Sequence, residues 1–269
     1  MSITLTAGMR SNLTALQTTN DLMELTQNRL STGKEVNTAL DDPVNFFKAK
    51  DHSDRASDLE AKKDGMAESI KTIEAADTGI EAIYDLLDQM ESLASAAKTS
   101  DNTGDLQDQY DKLMTQISTL ALDSKYGGNN LMNGDTISVE FDESGDHTLN
   151  VGTKNLSATT AGIVAGATLH GGNFDTQESM SSAITEIDAA VSNLRTEAQK
   201  LASSLSTISI REDFTESMIN TLETGADDLT LADMNEEGAN MLMLQTRQQL
   251  GTSSLSMSSE AAQSVLQLF

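Results

Sequence analysis

Apolar side chains recur alternately four and three residues apart over most of this chain, which is the spacing of long helices that pack side by side. The clearest stripe lies in the second half and consists of Met180, Ile184, Ile187, Val191, Leu194, Ala198, Leu201, Leu205, Ile208, Glu212, Thr215, Ile219 and Leu222. It predicts a helix roughly 70 Å long. A rod of that length does not fit inside a small globule, so we expect it to pack lengthwise on other helices.

Three further stripes precede this one. They comprise Met9, Leu13, Leu16, Asn20, Met23, Gln27 and Leu30; then Leu59, Lys63, Met66, Ile70, Ile73, Asp77, Ile80, Tyr84 and Leu87; and finally Leu106, Tyr110, Leu113, Ile117 and Leu120. The run KTSDNTGD between the last two predicts a turn, with Thr103 or Asp105 as the helix N-cap. Pro43, the only proline, is predicted to stop the first helix and to bias Asp42 towards an extended conformation.

The C-terminal segment is predicted as a last helix that is apolar on several sides. The run ETGADD at 223–228 is expected to break the chain before it. Its stripe is Leu231, Met234, Gly238, Met241, Gln245, Gln248, Thr252, Leu255, Ser259, Ala262, Leu266 and Phe269, while Leu242, Met243, Leu244, Leu250, Met257 and Val265 lie off it. Such a helix is buried on several sides. After the N-terminal helix has covered one side, the predicted partner for the rest is another copy of the chain.

The middle of the chain, Tyr126 to Phe174, is rich in Gly, Asn, Thr and Ser. The runs TISVEF (Thr136–Phe141) and HTLNV (His147–Val151) alternate as strands around DESGD, which predicts a hairpin. The predicted fold class is mainly α, with long coiled-coil-like helices in two layers and a small β-hairpin region. The predicted domains are an N-terminal helix at 1–42, a helical rod at 43–227 that includes the β region 126–174, and a C-terminal helix at 228–269.

Charge, hydropathy and cysteine content exclude several classes of function. The formal charge of −25, from 42 acidic and 17 basic residues, argues against binding to nucleic acid or to anionic membranes. No run of 18 apolar residues predicts a membrane span, so we expect no membrane insertion. The start MSITLTAGMR lacks the basic and apolar regions of an ordinary secretory signal. The absence of cysteine excludes disulfides and thiolate metal sites.

Motifs that carry chemistry are missing from the sequence. His52, His147 and His170 belong to no HExxH motif and have no second His at metal-ligand spacing. The runs DNTGDLQD and DESGDH lack the spacing and the closing Glu of a calcium loop. With 3% aromatic residues and no tryptophan, the chain is also unlike an enzyme with an aromatic-lined pocket. We expect no catalytic activity, no cofactor and no metal.

The two ends of the chain carry its most specific pattern. The run RSNLTALQTTNDLMELTQNRLSTGKEVNTALDDP resembles the N-terminal signature of bacterial flagellins in Asn12, Leu16, Asn20, Arg29, Leu30, Ser31, Gly33, Ala39, Asp41, Asp42 and Pro43. The run LADMNEEGANMLMLQTRQQLGTSSLSMSSEAAQSVLQLF resembles their C-terminal signature in Ala232, Asp233, Glu236, Glu237, Ala239, Gln245, Gln249, Leu250, Gly251, Leu255, Val265, Leu266 and Leu268. The short middle is similar to flagellins that lack large outer domains.

This resemblance implies a secreted subunit that self-assembles into the extracellular flagellar filament used for motility. It implies terminal helices paired as an innermost layer, D0, a surrounding helical layer, D1, and a D0–D1 connection at 41–43. The implied partners are other flagellin copies, the flagellar export apparatus, an export chaperone, and the filament cap and hook-junction proteins. The residues predicted to form the self-assembly interface are Asn12, Leu13, Leu16, Asn20, Arg29, Leu30, Asp41, Asp42, Leu242, Gln245, Leu250, Leu255, Val265, Leu266 and Leu268.

The resemblance also predicts weak recognition by the vertebrate Toll-like flagellin receptor. The stretch LDQMESLAS, Leu87–Ser95, corresponds in position to a stretch similar to LQRVRELAV in receptor-stimulating flagellins. Gln89 and Glu91 replace arginines, Leu93 is kept, and Gln109 on the next helix replaces a glutamate. Arg offers fixed bidentate donors that Gln and Glu lack, and Glu reverses the charge.

Two alternatives remain open from the sequence. A hook–filament junction protein shares the N-terminal pattern, although the ending QTRQQLG…VLQLF fits flagellin better. A free helical adaptor would use the same heptads without forming a polymer. A flagellin with a metalloprotease insert is disfavoured by the small middle region and the missing HExxH.

Overall fold

A computed structural model describes residues 7–156 and 174–267 of the chain. Its elements, in order, are α1 (Ala7–Thr32), α2 (Pro43–Ala97), α3 (Thr103–Asp123), a 3₁₀ turn (Leu131–Asn133), β1 (Thr136–Glu140), β2 (Thr148–Gly152), α4 (Gln177–Thr230) and α5 (Met234–Gln267). Long helices with one small antiparallel sheet confirm the predicted fold class. The chain forms two compact units: a terminal unit, up to residue 54 and from residue 221 onwards, and a central unit, residues 55–220.

The core of the central unit follows the heptad stripes. From Met180 to Ile208 every position of the α4 stripe is buried or partly buried, and so is every position of the α2 and α3 stripes except the exposed Asp77. Fully buried stripe positions are Met66, Ile73, Ile80, Leu87, Tyr110, Ile117, Ile187 and Leu194, and Ile83 and Met90, which the predicted α2 stripe did not include, are fully buried as well. The Tyr110 ring meets the Phe174 ring edge to face, with centroids 5.3 Å apart. Among the described residues the Tyr110 hydroxyl has no hydrogen-bond partner, and burial raises its pKa.

Gly79 lets α2 approach the segment that follows α3. A Cβ placed on Gly79 would lie 2.3 Å from Met132 Sδ and 2.4 Å from Ser124 Oγ. These distances are far below the 3.5–4.0 Å or so of normal contacts between non-bonded heavy atoms. The absence of a side chain at Gly79 is therefore part of the packing of the central unit.

The predicted hairpin is confirmed. β1 and β2 pair antiparallel from Thr136 opposite Gly152 to Glu140 opposite Thr148, and the buried side chains of Ile137, Val139 and Val151 face the core. Asp142 closes the loop by accepting hydrogen bonds from the Ser144 hydroxyl and from the His147 backbone N–H. These donors, with Ser144 first, lower the pKa of Asp142 to about 2. Part of the predicted β region, 157–173, lies outside the described residues.

Pro43 has a different role from the predicted one. α1 ends at Thr32, eleven residues before the proline, and Gly33 follows with φ +70°. A residue without a side chain is the usual choice at this left-handed position. Pro43 is instead the first residue of α2, where its missing N–H costs nothing and its fixed φ suits the helix. The prediction that Pro43 stops the first helix was wrong.

Two other helix boundaries differ from the sequence prediction. α4 continues through ETGADD to Thr230, so the predicted break at 223–228 was wrong. A single helical glycine such as Gly225 costs only about 1 kcal/mol relative to alanine, and long packed helices tolerate it. At α3 the N-cap is Asn102, not Thr103 or Asp105. Its side-chain amide donates to Asp105 instead of capping the backbone.

Candidate assembly surface

α1 and α5 of the terminal unit lie against each other along a continuous seam. The positions of α1 that are buried or partly buried are Met9, Asn12, Leu16, Thr19, Met23, Thr26, Arg29 and Leu30. On α5 they include Glu237, Met241, Leu244, Gln248, Gly251, Ser254, Leu255 and Ser258. Small and polar side chains form much of this seam, beside the apolar Met9, Leu16 and Leu244.

Side-chain hydrogen bonds set the register of the seam. Asn12 Nδ2 donates to Ser254 Oγ at 3.2 Å, and Gln248 Nε2 donates to Asn20 Oδ1 at 2.8 Å. At the opposite end of α1, Arg29 Nη1 donates to Glu237 Oε1 at 2.9 Å. The residue numbers rise on α1 as they fall on α5, so the two helices are antiparallel.

The seam on α5 follows the predicted stripe at Met241, Gln248 and Leu255 but departs from it by one residue at other positions. Leu244, placed off the stripe by the sequence reasoning, is buried, whereas Gln245 is exposed. Gly251 is also in the seam, since a Cβ there would lie 2.6 Å from Leu16 Cδ2. On α1 the predicted stripe positions Leu13, Asn20 and Gln27 are likewise exposed. Glu237, Ser254 and Gly251 were missed because polar and small residues carry no hydrophobic signal.

Large apolar side chains point away from the seam into solvent. On α5 these include Leu242, Met243, Leu250 and Met257, and on α1 they are Leu13, Leu22 and Leu25. These four side chains of α5 are each more than half exposed. Exposed apolar side chains gathered on one element are typical of surfaces that bind a partner.

The segments that follow α1 and α4 are joined by backbone hydrogen bonds. The N–H groups of Glu35 and Val36 both donate to Thr230 O, and the N–H of Ala232 donates to Gly33 O. Arg29 adds ion pairs to Glu35, at 3.4 Å, and to the buried carboxylate of Glu237. We call this arrangement, residues 29–36 with 230–237, the terminal clasp.

Aspartates fix the chain beside the clasp. Asp42 Oδ1 accepts from the N–H groups of Val44 and Asn45 at the start of α2, and Asp233 Oδ1 accepts from two N–H groups at the start of α5. Such caps satisfy backbone donors that have no partner inside the helix. Asp41 Oδ2 accepts from the N–H groups of Thr38 and Asn37, which, with Thr38 first, lower the pKa of Asp41.

The predicted interface residues thus fall into four groups. Asn12, Leu16, Arg29, Leu30 and Leu255 lie in the seam, and Asp41 and Asp42 are local caps. Leu13, Leu242, Gln245 and Leu250 are exposed, and so is Asn20, which accepts the seam hydrogen bond from Gln248. The side chains of Val265 and Leu266, and all of Leu268, lie outside the described residues.

Most of the predicted receptor-site equivalents line a groove of the central unit between α2 and α3. The groove has a volume of about 560 Å³, and its walls include Gln89, Leu93 and Gln109 together with Lys112 and Leu113. Glu91 is exposed but lies outside the groove. Gln89 donates a hydrogen bond to the backbone oxygen of Asp85, one turn earlier on α2.

Within residues 7–156 and 174–267, no helix is both long and apolar enough to cross a membrane. The same part of the chain holds no cluster of three or more His, Asp and Glu side chains arranged to bind a metal ion.

Comparison with known proteins gives a consistent result. A family model described as the bacterial flagellin N-terminal helical region matches residues 4–136, and one described as the bacterial flagellin C-terminal helical region matches residues 183–269. Flagellin FljK of Caulobacter vibrioides is 33% identical over 277 residues, covering 100% of this chain and 98% of the relative. A flagellin of Brucella melitensis is 27% identical, with 96% of each chain covered.

Among solved structures, a crystal structure of Bacillus cereus flagellin is similar at 17% identity and a TM-score of 0.48. The similarity covers 56% of this chain and 88% of that one.

Proposed function

This chain belongs to the bacterial flagellin family and is a subunit of the flagellar filament, and from that premise we propose that α1 and α5 make the contacts that join its copies. The observation that carries the proposal is the row of large apolar side chains that α5 exposes, Leu242 and Leu250 above all. Burying them against a neighbouring subunit would contribute about 25 cal/mol per Å² of apolar surface. A helix with this exposed face is suited to a polymer.

The seam explains why the pair of helices needs a neighbour. Its small and polar side chains hold α1 and α5 in register, while large apolar groups outside the seam, such as Leu242 and Leu250, face outwards. We therefore place Leu13, Leu242 and Leu250 in contacts between subunits. Asn12, Leu16, Arg29, Leu30 and Leu255 act indirectly, by positioning the two helices, and Asp41 and Asp42 fix the D0–D1 connection.

We also propose the layers, the export route and the further partners of this chain. We place the D0 layer at 1–42 and 228–269 and the D1 layer at 43–227. We further infer that the chain leaves the cell through the flagellar export apparatus with an export chaperone, and that it meets the cap and hook-junction proteins. Its role is structural rather than catalytic. A hook–filament junction protein is not favoured, because the full-length relatives are flagellins.

The test uses substitutions on the exposed face of α5. The double variant Leu242→Ser with Leu250→Ser should stay monomeric at concentrations at which the wild type forms filaments that sediment and are visible by electron microscopy. Leu122→Ser is the matched control, since Leu122 is similarly exposed but belongs to α3 of the central unit. If the control lost assembly to the same extent, the cause would be the loss of any exposed apolar side chain rather than of the α5 contacts. Normal filaments from the double variant would refute the proposed contacts.

A deletion complements the substitutions. Removal of residues 255–269 should leave a soluble monomer whose central unit keeps its helices, as measured by circular dichroism and tyrosine fluorescence. Filaments of normal appearance from this truncated chain would contradict the assignment of assembly to α5.

A further inference from the structure

Two exposed methionines of α5 combine a reactive side chain with the proposed assembly surface. We propose that Met243 and Met257 form an oxidation site, at which a peroxide converts both thioethers to sulfoxides in the free subunit and thereby prevents assembly. The effect on assembly rests on the proposed function, whereas the selective oxidation does not.

The site is a straight stripe on α5. Met243, Leu250 and Met257 follow one another at intervals of seven residues and are 51%, 66% and 61% exposed. Positions seven apart on an α-helix differ in direction by only about 20°, so the three side chains share one face. Leu242, 67% exposed, lies beside them.

Other methionines of the chain provide internal references. Met66, Met90 and Met132 are 0% exposed in the core of the central unit, so a peroxide reaches them only when that unit opens. Met234 is 48% exposed on the same helix as the stripe. It precedes Met243 by nine residues, which at 100° per residue places it on the opposite side of α5.

The reaction needs no catalytic group from the protein. A lone pair of the methionine sulfur attacks one oxygen of hydrogen peroxide, the O–O bond breaks and an S=O bond forms. The departing hydroxide takes up the proton that the transferred oxygen loses, which gives water. Sulfur is oxidised by two electrons and the peroxide is reduced by two. Exposure therefore decides which methionines react.

The product is unsuited to a buried apolar contact. A sulfoxide is polar and accepts hydrogen bonds, and burying a polar group without a partner is unfavourable. Two such groups at the ends of one stripe should weaken every contact made through it. A stripe already covered by a neighbouring subunit should be shielded from peroxide, so the free subunit is the sensitive form.

The first experiment measures selectivity. Monomeric protein is treated with hydrogen peroxide, and sulfoxide formation at each methionine is followed by peptide mass spectrometry. Met234, Met243 and Met257 should react at least about tenfold faster than Met66, Met90 and Met132. In polymerised protein Met243 and Met257 should lose most of this reactivity. Similar rates at exposed and core methionines would overturn the proposal.

The second experiment connects oxidation to assembly. Peroxide treatment should raise the protein concentration needed for polymerisation of the wild type by about tenfold or more. The double variant Met243→Leu with Met257→Leu should assemble normally after the same treatment, whereas Met234→Leu, the matched control, should fail like the wild type. Normal assembly of fully oxidised wild type would contradict the proposal.

A repair step keeps the test decisive if the double variant does not assemble even before treatment. Methionine sulfoxide reductase restores the thioether, so incubation of the oxidised wild type with this enzyme should restore polymerisation. Failure to recover after repair confirmed by mass spectrometry would overturn the proposal. If the untreated wild type forms no filaments, the proposed function fails, while the oxidation pattern of the monomer still tests the site.

Discussion

The sharpest stability prediction concerns Gly79, the residue at which α2 approaches Met132 and Ser124. Gly79→Ala should leave the central unit no more stable than the wild type, although alanine is the better helix former. Gly65→Ala is the matched control, because Gly65 lies in the same helix and a Cβ there meets no atom within 4 Å.

The expected magnitude follows from two opposing effects. Replacement of glycine by alanine in a helix interior gains about 1 kcal/mol in both variants. At Gly79 the added carbon would also lie 2.9 Å from Ser124 Cβ, close to the backbone, as well as against Met132 Sδ. Overpacking of this kind costs about 1–3 kcal/mol. We therefore expect Gly65→Ala to gain about 1 kcal/mol and Gly79→Ala to be less stable than Gly65→Ala by about 1–3 kcal/mol.

The assay is urea unfolding of the monomer followed by tyrosine fluorescence. The chain has no tryptophan and three tyrosines, Tyr84, Tyr110 and Tyr126, all within residues 55–220, so the signal reports the central unit alone. The urea concentration at the midpoint of unfolding should rise for Gly65→Ala. For Gly79→Ala it should stay at the wild-type value or fall. The slope of the free energy against urea concentration should be the same for all three proteins. Equal free energies of unfolding for the two variants would refute the reasoning.

The remaining predictions concern charge. Arg29→Ala should lower the stability of the terminal unit by about 2 kcal/mol, because Glu237 stays buried without its partner; a melting curve from circular dichroism that matches the wild type would contradict this. Asp142 has a pKa lowered to about 2 in the folded protein, against 3.8 when unfolded. Its contribution to stability is therefore complete above pH 3.8 and is lost as the pH falls towards 2. Asp142→Asn should remove the loss of stability between these two pH values. Added salt should accelerate polymerisation, because a charge of −25 per subunit opposes association, and rates independent of salt would place the charges away from the contacts. Monomeric wild type should signal weakly in a receptor reporter assay, and Gln89→Arg with Glu91→Arg should raise the signal; strong wild-type signalling would refute this.

The helices of the central unit were the part that sequence reasoning predicted best. Along α4 the residues that face the core are apolar at nearly every heptad position, so the stripe and the buried face coincide. The hairpin was equally clear, because alternation on both sides of DESGD allows only one face to be buried.

The terminal unit was predicted less accurately for a physical reason. Its seam contains Glu237 and Gly251, while Leu242 and Leu250 face solvent in the single chain. Hydrophobic periodicity marks apolar faces that become buried. It does not distinguish a face buried inside the subunit from a face buried between subunits. The end of α1 was misplaced similarly, because Gly33 and Pro43 are both helix boundaries and only the backbone shows which one ends a helix.

The side-chain bonds of the seam join residues that are 242, 228 and 208 positions apart in sequence. These bonds of α1 all go to α5, so they form only after α5 has been synthesised. Contacts between residues so far apart form slowly, because the entropy of closing the intervening loop opposes them. A chain that emerges from the ribosome N-terminus first must hold α1 unpaired for longer than any other helix. The terminal unit is thus the last part able to fold, and the order of synthesis itself delays the appearance of a surface that can polymerise.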